Sequence, residues 1–229
     1  MFNFNFSTDW LISILLTIPG VLLALSVHEC AHGWMSYKLG DPTARNFGRL
    51  TLNPIKHIDP IGLICMIFFH FGWAKPVPVN ARYYKKPRRD MALVAAAGPI
   101  SNLLMCLVSV VITHLSAFLF YTFATSPTEA VLNIYSLWMI FLTNFTLLNA
   151  SLAVFNLIPI PPLDGSRIAF IFLPPKFYFG IMRYERYIQI AMFVLLYLGA
   201  FDRILSFFVD GIVNGLYALI QLIPIFQFY

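Results

Sequence analysis

The sequence has few charged side chains and few cysteines. Only 11% of its 229 residues are Asp, Glu, Lys or Arg, whereas 59% are hydrophobic, which excludes an ordinary soluble domain of this length. The three cysteines, Cys30, Cys65 and Cys106, show no CxxC spacing, so neither a disulfide framework nor a zinc ribbon is indicated. With a mean hydropathy of +0.77, the composition predicts a polytopic membrane protein.

Basic residues are absent from two long stretches. No Lys or Arg occurs in residues 1–37 or 90–166, whereas ten of the fifteen lie in residues 38–89. By the positive-inside rule, residues 38–89 are predicted to be cytoplasmic and the N-terminus to lie outside the cell membrane. The net charge of +5 is therefore interpreted as loops facing anionic lipid headgroups, and we expect no nucleic-acid partner.

The apolar pattern predicts a single all-α domain over residues 1–229 with a three-helix core. The predicted core spans are residues 8–38, 91–123 and 131–158. C-terminal helices are expected over residues 166–180 and 187–223. The second of these ranges is compatible with one more span, a hairpin or an interfacial helix.

Residues 46–80, between the first two predicted spans, do not read as one membrane helix. Prolines interrupt this stretch, and its apolar part, residues 61–72, is too short to cross a bilayer. A small β or re-entrant region is therefore predicted. Within it, residues 75–79 look extended, and we expect them to hold a substrate by strand addition.

The first predicted span contains an HExxH motif formed by His28, Glu29 and His32. On a helix, the two histidines lie on one face and can bind one metal ion, while Glu29 is placed as a base for water. A charged group in hydrocarbon costs roughly 2.5 kcal/mol or more, so such a cluster indicates a functional site.

Two histidines leave a catalytic zinc site short of its third protein ligand. Asp164 follows a proline-rich turn at the end of the third predicted span, at the depth inferred for the HExxH motif. Two alternatives remain open from the residues alone. Asp164 also suits the cap of a short helix, and Asp59, in a turn-like setting, is a possible third ligand.

Three motifs in this order resemble one known family. The HExxH motif, a small-residue stretch ending in Gly98, Pro99 and Asn102, and Asn156 followed by Leu163-Asp164-Gly165 closely resemble the site-2 protease family, the intramembrane zinc metalloproteases of peptidase family M50. Residues 72–80 are similar to those of its small members, which lack PDZ and CBS domains. The resemblance covers nearly the whole chain.

The resemblance implies one Zn²⁺ ion held by His28, His32 and Asp164, with Glu29 as the general base. It also suggests that Asn156 binds the substrate backbone or the oxyanion, although a structural hydrogen bond is an equally open interpretation. For Asn102, an interhelical hydrogen bond is preferred. The other histidines, His57, His70 and His114, are not expected to be ligands.

The function implied is hydrolysis of peptide bonds in or near the transmembrane segments of membrane-anchored protein substrates. Regulated intramembrane proteolysis and clearance of signal-peptide remnants are the expected settings, in the cell membrane with the active site toward the cytoplasm. Two alternatives from other classes are a membrane metal-ion transporter and an inactive scaffold that binds client proteins.

Overall fold

The computed structural model describes residues 8–69 and 72–226, and every regular element within them is a helix. The α-helices are α1 (Thr8–Lys38), α2 (Thr43–Asn46), α3 (Pro60–Phe69), α4 (Pro87–Phe123), α5 (Glu129–Asn156), α6 (Asp164–Ala169), α7 (Pro175–Met182), α8 (Glu185–Tyr197) and α9 (Asp202–Gln221). Short 3₁₀ turns occur at Pro54–Lys56, Ala81–Tyr83 and Pro224–Phe226. Among the described residues, α1 (over Leu15–Lys38), α4, α5 and α9 are long and apolar enough to cross a membrane. The predicted multi-pass, helical architecture is confirmed.

Helix α4 forms the centre of the bundle and packs against α1, α5, α6 and α9. Its buried positions include Ala95, Ala97 and Gly98, whose small side chains let neighbouring backbones approach closely. Farther along, the Ser109 hydroxyl donates to the Leu142 carbonyl at 3.1 Å, and this polar bond joins α4 to α5. Because apolar surface gives little drive for helix association in lipid, such close packing and polar bonds hold the bundle together.

The residues between α1 and α4 do not form a sheet. Strand pairing in the described part of residues 46–80 is limited to one isolated bridge between Ile58 and Ala74. The prediction of β structure is therefore wrong here, and the structure does not support a re-entrant segment either. The apolar run instead forms α3, because Pro60 occupies its first position and the Asp59 carboxylate accepts the N–H groups of the first turn. Short apolar runs give no periodicity that separates helix from strand.

The last long helix, α9, packs lengthwise on the bundle, as a further span would. Cys106, Ala150 and Val209 cluster between α4, α5 and α9, and farther along, the rings of His114 and Tyr217 lie 5.3 Å apart. Helix α9 therefore runs parallel to α4 and ends on the same side of the bundle as the C-terminal end of α4. Helix α8 has 13 residues, about 20 Å, and is too short to cross alone.

Candidate metal centre

Helix α1 presents His28 and His32 one turn apart, and the start of α6 brings Asp164 to them. The two Nε2 atoms lie 3.0 Å apart, and Asp164 Oδ2 lies 3.2 Å from His28 Nε2 and 3.1 Å from His32 Nε2. Three donor atoms thus form a nearly equilateral triangle. The side chains are only 8%, 12% and 16% exposed, so the triangle is almost closed to solvent.

This donor set fits a zinc ion. Tetrahedral zinc with ligand bonds of about 2.0–2.2 Å places its ligand atoms about 3.3–3.5 Å from one another. The observed separations of 3.0–3.2 Å need only a small outward shift to reach that spacing. Two imidazole nitrogens and one carboxylate oxygen leave the fourth tetrahedral position open, as catalytic zinc sites do.

The far side of each imidazole is fixed by a hydrogen bond. His28 Nδ1 lies 2.6 Å from Asn102 Oδ1, and His32 Nδ1 lies 2.7 Å from the Val94 carbonyl oxygen. Because both oxygens only accept, each Nδ1 carries the proton and each Nε2 is left with its lone pair toward the triangle. Such hydrogen bonds orient metal-binding histidines and raise their basicity.

Asn102 does more than the interhelical bonding expected of it. Its amide nitrogen donates to Asn149 Oδ1 at 3.0 Å, and this bond fixes the orientation in which its oxygen accepts from His28. The Asn149 amide in turn donates to the Phe145 carbonyl at 2.8 Å. Sequence reasoning missed Asn149. An amide in the middle of an apolar span, seven residues before Asn156, was the available signal.

Two glycines let the helices meet closely enough to build the centre. A Cβ on Gly98 would lie 2.5 Å from His32 Nε2 and 2.6 Å from His28 Cε1, so α4 passes both imidazoles at a position that has no room for a side chain. A Cβ on Gly165 would lie 2.2 Å from the Leu157 carbonyl oxygen. The backbone of α6 therefore begins against the end of α5, which sets the place of Asp164.

Asp164 is the first residue of α6. The capping interpretation of Asp164 receives no support, since the cap residue of α6 is Leu163 and no side chain caps this helix.

Glu29 lies on the same helix but faces another part of the protein. Its Oε2 accepts the Val77 N–H at 2.8 Å, from the irregular stretch that precedes α4. One carboxylate oxygen is thereby fixed by a main-chain donor, which is a charge-assisted hydrogen bond.

Asn156 is not part of the donor triangle. It is the last residue of α5, and its amide nitrogen donates to the Leu152 carbonyl one turn earlier at 2.9 Å. Asp59, the alternative third ligand, is used as the cap of α3 and does not join the histidines among the described residues.

The other histidines are held by main-chain carbonyls. His57 Nε2 lies 2.8 Å from the Thr51 oxygen, and His114 Nδ1 lies 2.9 Å from the Val110 oxygen. In the described part of the chain, neither belongs to the cluster of metal-binding groups. His70 lies outside the described residues.

Comparison with known proteins agrees with a zinc-binding donor set. The family model described as "Peptidase family M50" matches residues 16–199. "Putative zinc metalloprotease YwhC" of Bacillus subtilis (strain 168) is 39% identical over 175 residues, which cover 76% of this chain and 77% of that protein. "Putative zinc metalloprotease Rip2" of Mycolicibacterium smegmatis is 32% identical over 156 residues, 66% of this chain and 54% of that protein. No solved structure gives a significant match.

Proposed function

The chain belongs to peptidase family M50, and from this membership and the geometry of the centre we propose an intramembrane protease that cuts anchored proteins in or beside a membrane-spanning segment. Zinc is the cofactor of this metalloprotease. One observation carries the proposal. In the triangle of His28, His32 and Asp164, both histidines stand on α1 and are held by α4, and these two helices are long enough to cross a membrane.

The depth of the centre supports a cut near the membrane surface. Val94, which bonds His32, is seven residues into α4, or about 10 Å along the helix from the end that carries the basic loops. By the positive-inside rule that end is cytoplasmic. The proposal therefore places the active site toward the cytoplasm of a cell membrane, with the N-terminus outside.

In this proposal His28, His32 and Asp164 hold the zinc ion, and the Nδ1 bonds of the histidines keep both rings aligned. Zinc supplies a Lewis acid for the scissile carbonyl and makes water more acidic. Glu29 takes a proton from the attacking water as the water oxygen bonds to the carbonyl carbon. Glu29 then gives that proton to the leaving nitrogen as the C–N bond breaks.

Asn156 is retained as a candidate group for the substrate. Its amide nitrogen uses one hydrogen on the Leu152 carbonyl, which leaves a second hydrogen free for a substrate carbonyl or the oxyanion. Loss of one oxyanion donor costs about 10²–10³ in kcat. An Asn156→Ala variant that cleaves at the wild-type rate would assign this side chain to structural bonding alone.

A transporter or an inactive scaffold is the alternative from another class. Both would keep a metal centre in the membrane, but neither needs a general base such as Glu29. Family membership favours the protease. The decisive variant is Glu29→Gln, which keeps the size of the side chain and removes its basicity.

The test compares the wild type with Glu29→Gln in cells and as purified protein. We expect membrane-protein fragments that accumulate with the wild type to be absent with the variant, while the zinc content of the two purified proteins is equal. General-base catalysis contributes about 10²–10⁴ in rate, so residual cleavage should fall by that factor. Undiminished cleavage by pure Glu29→Gln would exclude Glu29 as the base.

A further inference from the structure

The irregular stretch before α4 contacts Glu29, and we call its residues 75–80 the clamp segment. Its main-chain donors point into the protein. The Lys75 N–H donates to the His57 carbonyl at 2.8 Å, the Val77 N–H to Glu29 Oε2 at 2.8 Å, and the Asn80 N–H to Asp41 Oδ2 at 2.7 Å.

The intervening residues Pro76 and Pro78 have no N–H group. These two positions therefore offer no donor to a strand partner. The expectation that residues 75–79 hold a substrate by strand addition is thus poorly matched by these contacts. The segment instead uses its donors within the protein, on one main-chain carbonyl and two carboxylate side chains.

Two buried charged side chains anchor the ends of the clamp segment. Arg49 Nη2 donates to the Lys75 carbonyl at 2.6 Å, and Arg49 is only 7% exposed. Within the described residues Arg49 makes no ion pair, and its Nε has no hydrogen-bond partner. A buried cation without a counter-ion is costly, and the fold retains it at this carbonyl.

At the other end, Asp41 is fully buried and accepts from four donors. Its Oδ2 accepts the Asn80 N–H and, at 2.8 Å, the Ser36 hydroxyl of α1, while its Oδ1 accepts the N–H and the hydroxyl of Thr43. This carboxylate therefore ties the end of the clamp segment to the C-terminal end of α1, the helix that carries Glu29.

Close contact between α1 and the clamp segment depends on Gly33. A Cβ at this position would lie 2.8 Å from Leu50 Cδ2 and 3.2 Å from Val77 Cγ1. Gly33 lies one turn after Glu29 on the same helix. Because it has no side chain there, the clamp segment comes close enough for the Val77 N–H to reach the Glu29 carboxylate.

We propose that the clamp segment positions Glu29 for proton transfer, and that Arg49 and Asp41 are positioning residues that act on Glu29 through it. The inference rests on the proposed function, in which Glu29 is the base. Fixing Oε2 on the Val77 N–H sets the orientation of the carboxylate and leaves Oε1 for the water. A misplacement of about 1 Å at a reacting group can cost about 100-fold in rate.

The first test uses a matched pair of proline variants. Val77→Pro removes the N–H that Glu29 accepts, whereas Val79→Pro removes an N–H with no main-chain acceptor among the described residues. Cleavage of a substrate identified by the Glu29→Gln comparison should show kcat reduced about 100-fold by Val77→Pro with KM nearly unchanged. Val79→Pro leaves the Val77 N–H in place and should reduce kcat far less than Val77→Pro, and both variants should keep their zinc.

The second test reads the contact without using activity. Because Pro76 and Pro78 have no amide hydrogen, a peptide covering residues 76–79 reports exchange at Val77 and Val79 only. In zinc-loaded protein in detergent micelles, Glu29→Ala should speed exchange of the Val77 amide at least about tenfold, the effect of losing a hydrogen bond to a charged group. Arg49→Met should speed it as well, and Arg49→Lys, which restores a donor, should reverse part of that increase.

Each outcome has a distinct meaning. Equal kcat for Val77→Pro and the wild type, or unchanged Val77 exchange in Glu29→Ala, would overturn the clamp while proteolysis by the wild type stands. A wild type that cleaves no membrane-anchored protein would overturn the proposed function itself, together with the role of the clamp in it.

Discussion

Two faces of α1 are built in different ways. The face with His28 and His32 packs against α4 and receives fixed acceptors from it, an amide oxygen of Asn102 and a main-chain oxygen of Val94. The face with Glu29 packs against a segment without regular structure and receives a single main-chain donor. Adjacent residues of one motif thus depend on separate supports, one helical and one irregular.

Under the proposed function, this difference separates metal affinity from proton transfer. Changes on the face of α1 that carries the histidines should reduce zinc binding, and activity should fall because zinc is lost. Changes on the face that carries Glu29 should reduce turnover or stability while the zinc ion stays bound. Variants that mix these effects would show that the two supports are mechanically coupled.

The largest effect is expected from Gly98→Ala. The added methyl would lie within 2.6 Å of atoms of both imidazoles, so the rings must leave the triangle. Removing a hydrogen-bonding partner of a metal ligand already costs 10–100-fold in metal affinity, and this direct clash should weaken zinc binding by about 100-fold or more. Zinc per protein after dialysis against a graded chelator series measures the loss.

Gly211→Ala is the matched control for that variant. Gly211 also lies in a long helix, α9, but an added Cβ there meets nothing within 4 Å. We expect unchanged zinc affinity, with a gain in helix stability of up to about 1 kcal/mol. Full zinc occupancy in Gly98→Ala would contradict the close packing of α4 on the histidines.

Asn102→Ala should have the next largest effect. It removes the acceptor of His28 Nδ1, and the ring is then free to rotate and to change tautomer. Zinc affinity should fall about 10–100-fold, measured by competition with a fluorescent chelator. Asn156→Ala, which removes an amide outside the triangle, should leave zinc affinity unchanged. If the wild type, Asn102→Ala and Asn156→Ala bind zinc with equal affinity, Asn102 serves only in helix packing.

HExxH spacing is a local property of a helix, so the sequence alone predicts that His28 and His32 share one face, whereas Asp164 was added to them through the family resemblance. The sequence did not predict the hydrogen-bond partners that hold these side chains in place. Asn149 and Val94 are brought to the centre by the packing of α4 and α5, and no periodicity reports which side chain meets which carbonyl. The same limit applies to Glu29 and Val77, which lie 48 residues apart in the chain.

The region between α1 and α4 shows why the fold prediction failed there. Prolines and a short apolar run suggested strands or a re-entrant segment, but a strand needs a partner with free donors and acceptors. Here Asp41 and Glu29 accept the N–H groups of residues 80 and 77 in place of a neighbouring strand. Two carboxylates thus take the place of a sheet partner, and the sequence gives no signal for these contacts because they join residues far apart in the chain.

The smallest effect, and the one specific to the Glu29 side, is expected from Asp41→Asn. Burial raises the pKa of Asp41, but the hydrogen bonds from Thr43, Asn80 and Ser36 outweigh burial and lower it below its usual value. Because the folded-state pKa is the lower one, Asp41 contributes stability above its unfolded pKa of about 3.9 and loses it as pH falls through the folded value.

Asp41→Asn should therefore be less stable than the wild type by about 1–3 kcal/mol at pH 7, the cost of leaving buried donors poorly satisfied. Tryptophan-monitored unfolding in detergent micelles from pH 7 down to pH 3 should show the two proteins converging below about pH 4. A constant difference across that range would mean that hydrogen-bond geometry, and not the carboxylate charge, holds the clamp segment to α1.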